Sequence, residues 1–449
     1  MVERNGLQKI LKRCCTNEEI ITDCMGQTIK SIKGVRDILP DAVHHWHFLE
    51  HHVRELTAAY GYREMRTPLL EKTDLFKRSI GDVTDIVEKE MYSFEDRNGD
   101  LLSLRPENTA SCVRAAIQHG MLTNNQVSRI WYAGPMFRRE NPQRGRYRQF
   151  FQVGAEVYGV AGPYIEAELI LLSARLWQRL GLGEHVVLQI NSLGSSVDRD
   201  RYRAVLVDYL TDHLSDLDED SRRRLETNPL RVLDTKNPQM KEIVSGAPQI
   251  IDHLESESAD HFAALKTTLA QCEIAFEVNT RLVRGLDYYC HTVFEWVTSR
   301  LGAQGTVCAG GRYDGLTEQL GAKLTPGVGW ALGMDRLVEL IDELGCNDAV
   351  PQPDVYMILA GEKAIVQGLA LAERLREAEP HWTVICDCSG GSMKSQFKKA
   401  DKSVAKVAVI IGETELENGT VGLKNLREKT DQQTVEQSGL IDTLRAIFV

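Results

Sequence analysis

One strand-like segment, residues 149–157, constrains the fold most, because its two faces differ in kind. It reads Gln-Phe-Phe-Gln-Val-Gly-Ala-Glu-Val, and the odd positions from Phe151 to Val157 are all apolar. Successive side chains of a β-strand point to opposite faces of the sheet. The even face then offers the ring of Phe150, the amide of Gln152 and, beyond a gap at Gly154, the carboxylate of Glu156. The pattern predicts a sheet with one face on a core and the other at a ligand site, although a face half exposed to solvent would look the same.

The segment immediately before this strand, residues 136–148, is rich in arginine. Five arginines lie in it, at positions 138, 139, 144, 146 and 148. Guanidinium groups bind phosphate oxygens in pairs, so a loop of this composition indicates contact with nucleotide phosphates or an RNA backbone. A solvated charged hairpin is the alternative. Residues 127–158 therefore read as two strands joined by an arginine-rich loop.

Glycine is concentrated in residues 302–333, which hold nine glycines. Such a density weakens any regular element, so we expect these residues to allow close backbone approach. The run Gly310–Gly315 combines glycine, arginine, tyrosine and an acid, as does Leu282–Tyr289. Neither run fits a dinucleotide-binding G-x-G-x-x-G, and the chain has no P-loop, so any ATP chemistry needs another scaffold.

The remaining pattern predicts several folded units in the 449 residues. Asp41 is predicted as an N-cap from its residue type, and after it apolar residues recur at helical spacing from Trp46 to Tyr60. Residues 193–275 hold charge-rich helical stretches and look like an inserted module. Residues 281–289 and 291–298 read as strands. Beyond Pro353, strands alternate with helices, which predicts a small α/β domain with a partly parallel sheet.

Charge and cysteine content exclude several classes of protein. The net charge of −11 argues against a protein that coats nucleic acid nonspecifically. RNA binding stays compatible with this charge, because it needs only local basic patches. The ten cysteines form no pair of C-x-x-C clusters, so we predict neither a zinc site nor a disulfide framework. We expect reduced thiols in a cytoplasm instead. No apolar run of about 18 residues is present, which predicts no membrane span.

Taken together, these motifs resemble those of class II aminoacyl-tRNA synthetases of the bacterial histidyl type. The resemblance runs from about residue 32 to the end of the chain. Tyr62–Pro68 resembles motif 1, the segment from Phe137 to Glu156 resembles motif 2, and Gly327–Arg336 resembles motif 3. The histidine-specific signatures are Leu282–Tyr289 and Ala309–Gly315. Leu104–Thr109 resembles a further amino-acid-binding segment.

The resemblance implies an α+β fold with a six-stranded antiparallel sheet flanked by helices. It divides the chain into an N-terminal extension (1–31), a catalytic domain in two parts (32–192 and 276–348), a helical insertion (193–275) and an α/β anticodon-binding domain (352–449). A cytoplasmic homodimer is implied. The first 24 residues have no counterpart in the family, so either Met25 is the natural start or the extension is disordered.

The implied activity is ATP-dependent ligation of L-histidine to tRNA(His) through a histidyl-adenylate, with release of AMP and pyrophosphate. Mg²⁺ accompanies ATP, and neither a tightly bound cofactor nor a metal site in the protein is implied. Arg138, Arg146 and Arg336 would hold the ATP phosphates, and Phe150 would stack on adenine. Arg284 would neutralise the α-phosphate and form the catalytic set with Arg138 and Arg336.

The resemblance also assigns the contacts to the other two substrates. Histidine would be held by Glu107, Thr109, Gln152, Glu156, Tyr289 and Tyr313. Contacts to tRNA would come from Gln143 and Arg148 in the motif 2 loop and from a helical stripe of Lys394, Lys398 and Lys402. A lysine stripe on a solvated helix face is the simpler alternative for that last group.

The sequence departs from the family at two positions. Asn108 stands where glycine is usual, which would alter the loop that presents Glu107, and Asn141 stands where arginine is frequent. Two other functions use the same fold: a regulatory subunit of histidine biosynthesis and an RNA-binding sensor module. The anticodon-binding domain and both intact signatures favour the enzyme over the first, and the absence of an effector domain in the sequence argues against the second.

Overall fold

The computed structural model describes residues 28–81, 84–123, 126–143, 145–235, 237–301, 305–347 and 352–448. Met25 and most of the predicted extension 1–31 lie outside these ranges, as does Arg144. The chain divides into two compact units, residues 1–348 and 349–449. Each unit is described by itself below.

The first unit contains ten α-helices and eleven β-strands among its described residues. Its helices are α1 (Val43–Ala59), α2 (Thr73–Ile80), α3 (Thr109–Gln118), α4 (Tyr164–Arg179), α5 (Ser196–Asp212), α6 (Glu219–Thr227), α7 (Lys241–Gly246), α8 (Ser256–Gln271), α9 (Leu316–Gln319) and α10 (Met334–Leu344). Its strands are β1 (Arg63–Glu64), β2 (Leu70–Lys72), β3 (Tyr92–Glu95), β4 (Leu101–Leu104), β5 (Ser128–Phe137), β6 (Gln149–Tyr158), β7 (Val187–Ser192), β8 (Glu277–Val278), β9 (Cys290–Val297), β10 (Thr306–Arg312) and β11 (Gly327–Gly333). Short 3-10 segments lie at Gly183–His185, Pro229–Asp234, Pro238–Met240 and Ile250–His253, and Ile86–Glu90 is a π-helical turn.

The main sheet has eight strands in the order β1-β5-β6-β11-β10-β9-β7-β8. The six central strands, β5-β6-β11-β10-β9-β7, are each antiparallel to their neighbours, as the resemblance implied. The expected count of six is nevertheless too low, because a two-residue strand is added in parallel at each edge. A smaller sheet has the order β2-β4-β3. The fold is α+β, with helices packed on a largely antiparallel sheet.

The alternation in β6 separates the two sides of the main sheet. The odd residues Val153, Ala155 and Val157 are buried in a core with α1, α4, α8 and α10. The helix predicted from Trp46 onward is α1, but it begins at Val43 with Ala42 at the N-cap, so Asp41 does not cap it. The helical module predicted at 193–275 contains α5 to α8. Helix α8 packs on α4 and belongs to the same core, whereas the module's boundaries stay a prediction.

The strand predicted at residues 281–289 is absent: that segment is irregular, and β9 begins only at Cys290. The reason lies in its hydrogen bonds. The carbonyl oxygens of Gly285 and Tyr289 accept from the side chains of Arg231 and Arg199 instead of from a neighbouring strand. The segment is therefore held in its conformation by the inserted helices, which a local sequence pattern does not reveal.

The second unit is a five-stranded mixed sheet with helices. Its strands are β12 (Val355–Leu359), β13 (Val384–Cys386), β14 (Val407–Ile411), β15 (Thr420–Asn425) and β16 (Gln433–Glu436), in the order β13-β12-β14-β15-β16. Its helices are α11 (Glu362–Ala378), α12 (Met393–Lys402), α13 (Glu413–Asn418) and α14 (Leu440–Phe448), with a 3-10 turn at Gln437–Gly439. The first three strands pair in parallel, as predicted, and the last two are antiparallel additions. Among the described residues of the whole chain, no helix has the length and apolar character that a bilayer crossing requires.

Candidate active site

A cavity of about 630 Å³ is lined by residues of β5, β6, β9, β10 and β11, the start of α3 and the segment 282–289. Ten of the residues singled out from the sequence line it: Glu107, Thr109, Arg138, Arg146, Phe150, Gln152, Arg284, Tyr289, Tyr313 and Arg336. They come from five separate stretches of the chain. The structure therefore brings the predicted nucleotide-binding and histidine-binding residues together in one cavity, while their roles stay predictions.

Four arginines define one part of this cavity, the cationic end: Arg138, Arg146, Arg284 and Arg336. Arg138 Nε donates to the carbonyl oxygen of Pro106 at 2.9 Å, and its guanidinium lies 5.4 Å from the centre of the Phe150 ring. Arg146 Nη1 donates to Glu140 Oε2 at 2.8 Å. These contacts keep guanidinium groups oriented around an aromatic ring, which suits a flat base carrying phosphates.

Arg336 and Arg284 enter the cationic end from the other strands. Arg336 Nη1 donates to the carbonyl oxygen of Thr306 at 2.5 Å. Burial lowers the pKa of Arg336, and the nearby charge of Arg146 lowers it further. Arg284 Nη1 donates to the carboxylate of Glu295 on β9. Cationic groups that repel one another in a partly buried cavity are stabilised by a polyanion placed between them.

The phenolic end of the cavity consists of Tyr132, Tyr288, Tyr289 and Tyr313. The ring of Tyr313 lies 5.6 Å from that of Tyr288 and 6.3 Å from that of Tyr289, in edge-to-face arrangements. Glu156 does not line the cavity as the resemblance implied. It lies beneath the wall, 1% exposed, where it accepts hydrogen bonds from Thr109 Oγ1 at 2.7 Å and from the Tyr313 hydroxyl.

Burial raises the pKa of Glu156 to about 8, although the hydrogen bonds from Tyr313 and Thr109 oppose the shift. The protonation state of Glu156 decides what the wall offers to a ligand. As a carboxylate it accepts the protons of both the Thr109 and the Tyr313 hydroxyl, so that the lone pairs of these two oxygens face the cavity and can accept hydrogen bonds from a ligand. As a neutral acid it donates to one hydroxyl, whose own proton then points elsewhere. Such a pair of hydroxyls suits the two different ring nitrogens of an imidazole.

Gly329 on β11 is what allows Glu156 to sit there. The two residues are paired across β6 and β11, and a Cβ atom at position 329 would overlap Oε2 of Glu156 and lie 2.6 Å from the carbonyl oxygen of Ala155. The close approach predicted from the glycine density is confirmed at this position. A side chain larger than hydrogen would displace the buried acid.

Glu107 is 4% exposed and has a second role beside the predicted one. Its two carboxylate oxygens accept the first backbone N–H groups of α3, from Thr109 at 2.6 Å and from Ala110 at 3.0 Å. Burial raises its pKa, and these two amides oppose the rise. Asn108 adopts φ −120°, so glycine is not required there, and its Oδ1 accepts from Arg105 at 2.9 Å. The asparagine is thus built into the support of the loop.

None of the five predicted tRNA contacts is among the residues that line the cavity. Gln143 is exposed and pairs through its backbone with Arg146 in the motif 2 loop, and Arg148 donates to the carbonyl oxygen of Glu140. Lys394, Lys398 and Lys402 are exposed on α12 of the second unit. Asn141 is exposed.

Several residues of the cavity were missed by the sequence analysis, notably Glu140, Glu295, Tyr132 and Tyr288. Tyr288 and Glu140 stand inside quoted motifs, so proximity to those motifs was a usable signal. Glu295 carried none, because an acid in a strand is usually a solvent-facing residue. Its position opposite Arg284 depends on a contact between an irregular segment and β9.

Comparisons with known proteins agree with this geometry. A family model described as histidyl-tRNA synthetase matches residues 34–337, and one described as an anticodon binding domain matches residues 354–447. The apo histidyl-tRNA synthetase of S. aureus is 34% identical, with a TM-score of 0.78 over 93% of this chain and 100% of that chain.

Two further solved structures share the fold at lower identity. The histidyl-tRNA synthetase of Nostoc sp. is 18% identical, with a TM-score of 0.67 over 94% of this chain and 100% of that chain. A Bacillus halodurans protein described as an ATP phosphoribosyltransferase regulatory subunit/histidyl-tRNA synthetase is 22% identical, with a TM-score of 0.59 over 83% and 96%. The family-model match over residues 34–337 and the S. aureus structure decide the assignment: this chain belongs to the histidyl-tRNA synthetase family.

Proposed function

We propose that the protein ligates L-histidine to tRNA(His) at the expense of ATP, through a histidyl-adenylate. The observation that carries the proposal is the meeting of the cationic end and the phenolic end in one cavity. Arg284 joins the two, since its guanidinium lies 5.7 Å from the centre of the Tyr289 ring. A triphosphate and an imidazole-bearing amino acid would then meet with reacting groups side by side.

In the first step a carboxylate oxygen of histidine attacks the α-phosphorus of ATP, and pyrophosphate leaves. No protein nucleophile is required, so the protein contributes orientation and neutralisation of charge on the phosphoryl oxygens. Arg284 is the candidate for the α-phosphate, because it lies next to the tyrosines. Arg138, Arg146 and Arg336 would hold the outer phosphates of MgATP, and Phe150 would stack on the adenine.

Selection of histidine would depend on the phenolic end. The hydroxyls of Thr109 and Tyr313, fixed by Glu156, form a polar wall that would hydrogen-bond to the imidazole. The side-chain oxygen of Gln152 is buried and has no hydrogen-bond partner among the described residues, which leaves it for the amino group of the substrate. An apolar amino acid would leave these groups unpaired, and a site of this kind can reject such rivals by about 10⁴-fold.

In the second step the 3′-terminal ribose hydroxyl of the tRNA attacks the carbonyl carbon of the adenylate, and AMP leaves. We place Gln143 and Arg148 near the acceptor end and the stripe of Lys394, Lys398 and Lys402 at the anticodon. Lys398→Glu should raise the KM for tRNA about fivefold in charging assays, because it reverses a charge near phosphates. Histidine-dependent pyrophosphate exchange, which needs no tRNA, should stay at the wild-type rate.

We also propose a cytoplasmic homodimer. Large apolar side chains remain exposed on and beside the three-stranded sheet, including Leu70 at 44%, Phe94 at 45% and Leu101 at 47%. Exposed apolar side chains on neighbouring strands are typical of an association surface. Sedimentation equilibrium should give twice the chain mass, and Phe94→Glu should shift the mass toward that of one chain.

The decisive experiment is ATP–pyrophosphate exchange measured with a panel of amino acids. We expect exchange with histidine and a signal at least about 10³-fold lower with the others. Charging of tRNA(His) then tests the second step. A regulatory subunit built on the same fold would give no histidine-dependent exchange, and that result would refute the proposed function.

A further inference from the structure

Cys290, His291 and Asp314 lie together but are not among the residues that line the cavity, and the proposed reaction makes no use of them. Their thiol sulfur, ring nitrogen and carboxylate oxygen lie within 4.8 Å of one another. Cys290 directly follows Tyr289 in sequence, and Asp314 directly follows Tyr313. The cluster is therefore attached through the backbone to two tyrosines of the phenolic end.

The backbone takes an uncommon conformation at this cluster. Cys290 and His291 are consecutive residues at the start of β9, and consecutive strand residues normally point to opposite faces. His291, however, has φ 46°, and the pairing of β9 with β10 shifts register between Gly311 and Arg312. A positive φ outside glycine is energetically unfavourable and is found most often where a site requires it. Here it accompanies the approach of both side chains to Asp314.

The atoms of the cluster are also prepared for a ligand. His291 Nδ1 is buried and has no hydrogen-bond partner in the described part of the chain. Asp314 Oδ1 accepts from Arg312 Nη1 at 3.0 Å and from the backbone N–H of Gly327 at 3.0 Å. These two bonds orient the carboxylate, and within the described ranges its Oδ2 accepts none. The Asp314 side chain is 29% exposed, so an ion and a water molecule have a route to the cluster.

We propose that Cys290, His291 and Asp314 bind one zinc ion, with water as the fourth ligand. Sulfur, imidazole nitrogen and carboxylate oxygen are the donors that zinc takes in proteins, and three protein ligands with one water is a common set. The thiol loses its proton to solvent on binding, so that thiolate and carboxylate together balance the charge of the ion. This revises the prediction of no zinc site, which rested on the lack of C-x-x-C pairs.

The surroundings of the cluster support a bound ion. The ring of His261 stacks on that of His291, with centroids 5.0 Å apart and planes at 22°, and its Nε2 lies 2.9 Å from Glu166 Oε1. Stacking of this kind fixes the plane of the His291 ring and so limits the directions in which its ring nitrogens can point. A bound ion would tether the residue after Tyr289 to the residue after Tyr313, and would thereby fix the phenolic end.

The test is zinc titration of the metal-free full-length chain against a chromophoric chelator. We expect one zinc per chain at this site, with affinity reduced about 100-fold or more in Cys290→Ser and in His291→Asn. Cys112→Ser, which changes another buried free thiol, should retain the wild-type affinity. His51→Asn/His52→Asn removes a second group of possible ligands, which lies on α1 and is the other one found among the described residues, and this variant should also retain the wild-type affinity.

Cobalt substitution gives a second readout that does not depend on the stability of variants. Co²⁺ in the wild-type protein should produce a thiolate-to-cobalt absorption band that zinc displaces. The band should persist when Cys14, Cys15 and Cys24 are changed to serine. Absence of the band, or unchanged zinc stoichiometry in Cys290→Ser and His291→Asn, would overturn the proposal. Because zinc binding is measured without substrates, either result is independent of the proposed aminoacylation.

Discussion

The cationic end and the phenolic end of the cavity are built on different physical principles. At the cationic end, long flexible side chains such as Arg146 and Arg336 are each held by carboxylates or carbonyl oxygens and stay partly accessible. At the phenolic end, the buried acid Glu156 has no cationic partner in the described part of the chain, and hydroxyl groups satisfy it. The arginine side chains of the cationic end can adjust their positions, whereas the phenolic end depends on close packing between Glu156 and the backbone of the neighbouring strand.

Substitution of Arg284 tests the cationic end, and we expect it to have the largest effect on the exchange reaction. Arg284→Ala should lower the kcat of histidine-dependent pyrophosphate exchange by about 10³-fold, because one fixed charge facing a developing phosphoryl charge contributes on that scale. Circular dichroism should show an unchanged fold.

The matched control for Arg284 is Arg281→Ala. Arg281 is exposed three residues earlier in the same segment and donates to the backbone oxygen of Ser245. Its exchange rate should stay within about twofold of the wild type. Full activity of Arg284→Ala would remove Arg284 from its proposed role and would leave the cationic end as a binding surface alone.

Glu156 tests the phenolic end. Above about pH 8, where the wild-type Glu156 is a carboxylate, Glu156→Gln should lower kcat/KM for histidine in the exchange reaction by roughly 10²-fold. A neutral amide accepts through one oxygen only, so the hydroxyl of either Thr109 or Tyr313 loses its acceptor and turns away from the substrate. Glu168→Gln is the control, because it changes a carboxylate that pairs with Arg129 outside the cavity. It should leave kcat/KM for histidine unchanged.

The same variant tests the raised pKa of Glu156. The unfolded chain releases this proton near pH 4.5, while the folded protein keeps it up to about pH 8. Between these values the folded state binds more protons, so the free energy of unfolding falls as the pH rises, by at most about 1.4 kcal/mol per pH unit. The stability of the wild type relative to Glu156→Gln should therefore decline from pH 5 to pH 8. A difference that does not change with pH would contradict the shift.

These two ends also differ in how much the sequence could predict. The cationic end could be predicted from residue type alone, because a cluster of arginines such as Arg138 and Arg146 usually either binds anions or is solvated. The alternating pattern of β6 likewise predicted which of its residues would face a core. The burial of Glu156 beneath Thr109 could not be foreseen, because it depends on the register between β6 and β11 and on the lack of a side chain at Gly329.

Long-range contacts account for the other differences. The segment 281–289 has the composition of a strand, but side chains of Arg199 and Arg231 from the inserted helices bind its carbonyl oxygens and keep it irregular. The cluster of Cys290, His291 and Asp314 was hidden for a similar reason, since strand alternation assigns its first two members to opposite faces. A positive φ at one residue cancels that rule.

Gly329→Ala should show how little room the phenolic end has. The added methyl group would overlap the Glu156 carboxylate and press on the backbone of β6, so we expect a loss of about 3 kcal/mol in the free energy of unfolding. Gly315→Ala is the control, because a Cβ atom there meets nothing within 4 Å. Urea denaturation of both variants measures the contrast. An equal, small effect of the two substitutions would mean that the phenolic end adjusts as readily as the cationic one.

The smallest expected effect comes from Glu295, which holds Arg284 at the cationic end. Glu295→Gln keeps a hydrogen-bond acceptor for Thr306 Oγ1, which donates to the wild-type carboxylate at 2.9 Å, but it removes the charge that attracts the guanidinium. Arg284 should be less well positioned, so the kcat of exchange should fall about tenfold. The KM for ATP should fall two- to threefold, because a negative charge beside the triphosphate has been removed. A purely structural role would raise the KM or leave it unchanged, so the direction of this change decides whether Glu295 positions Arg284 or merely supports the strand.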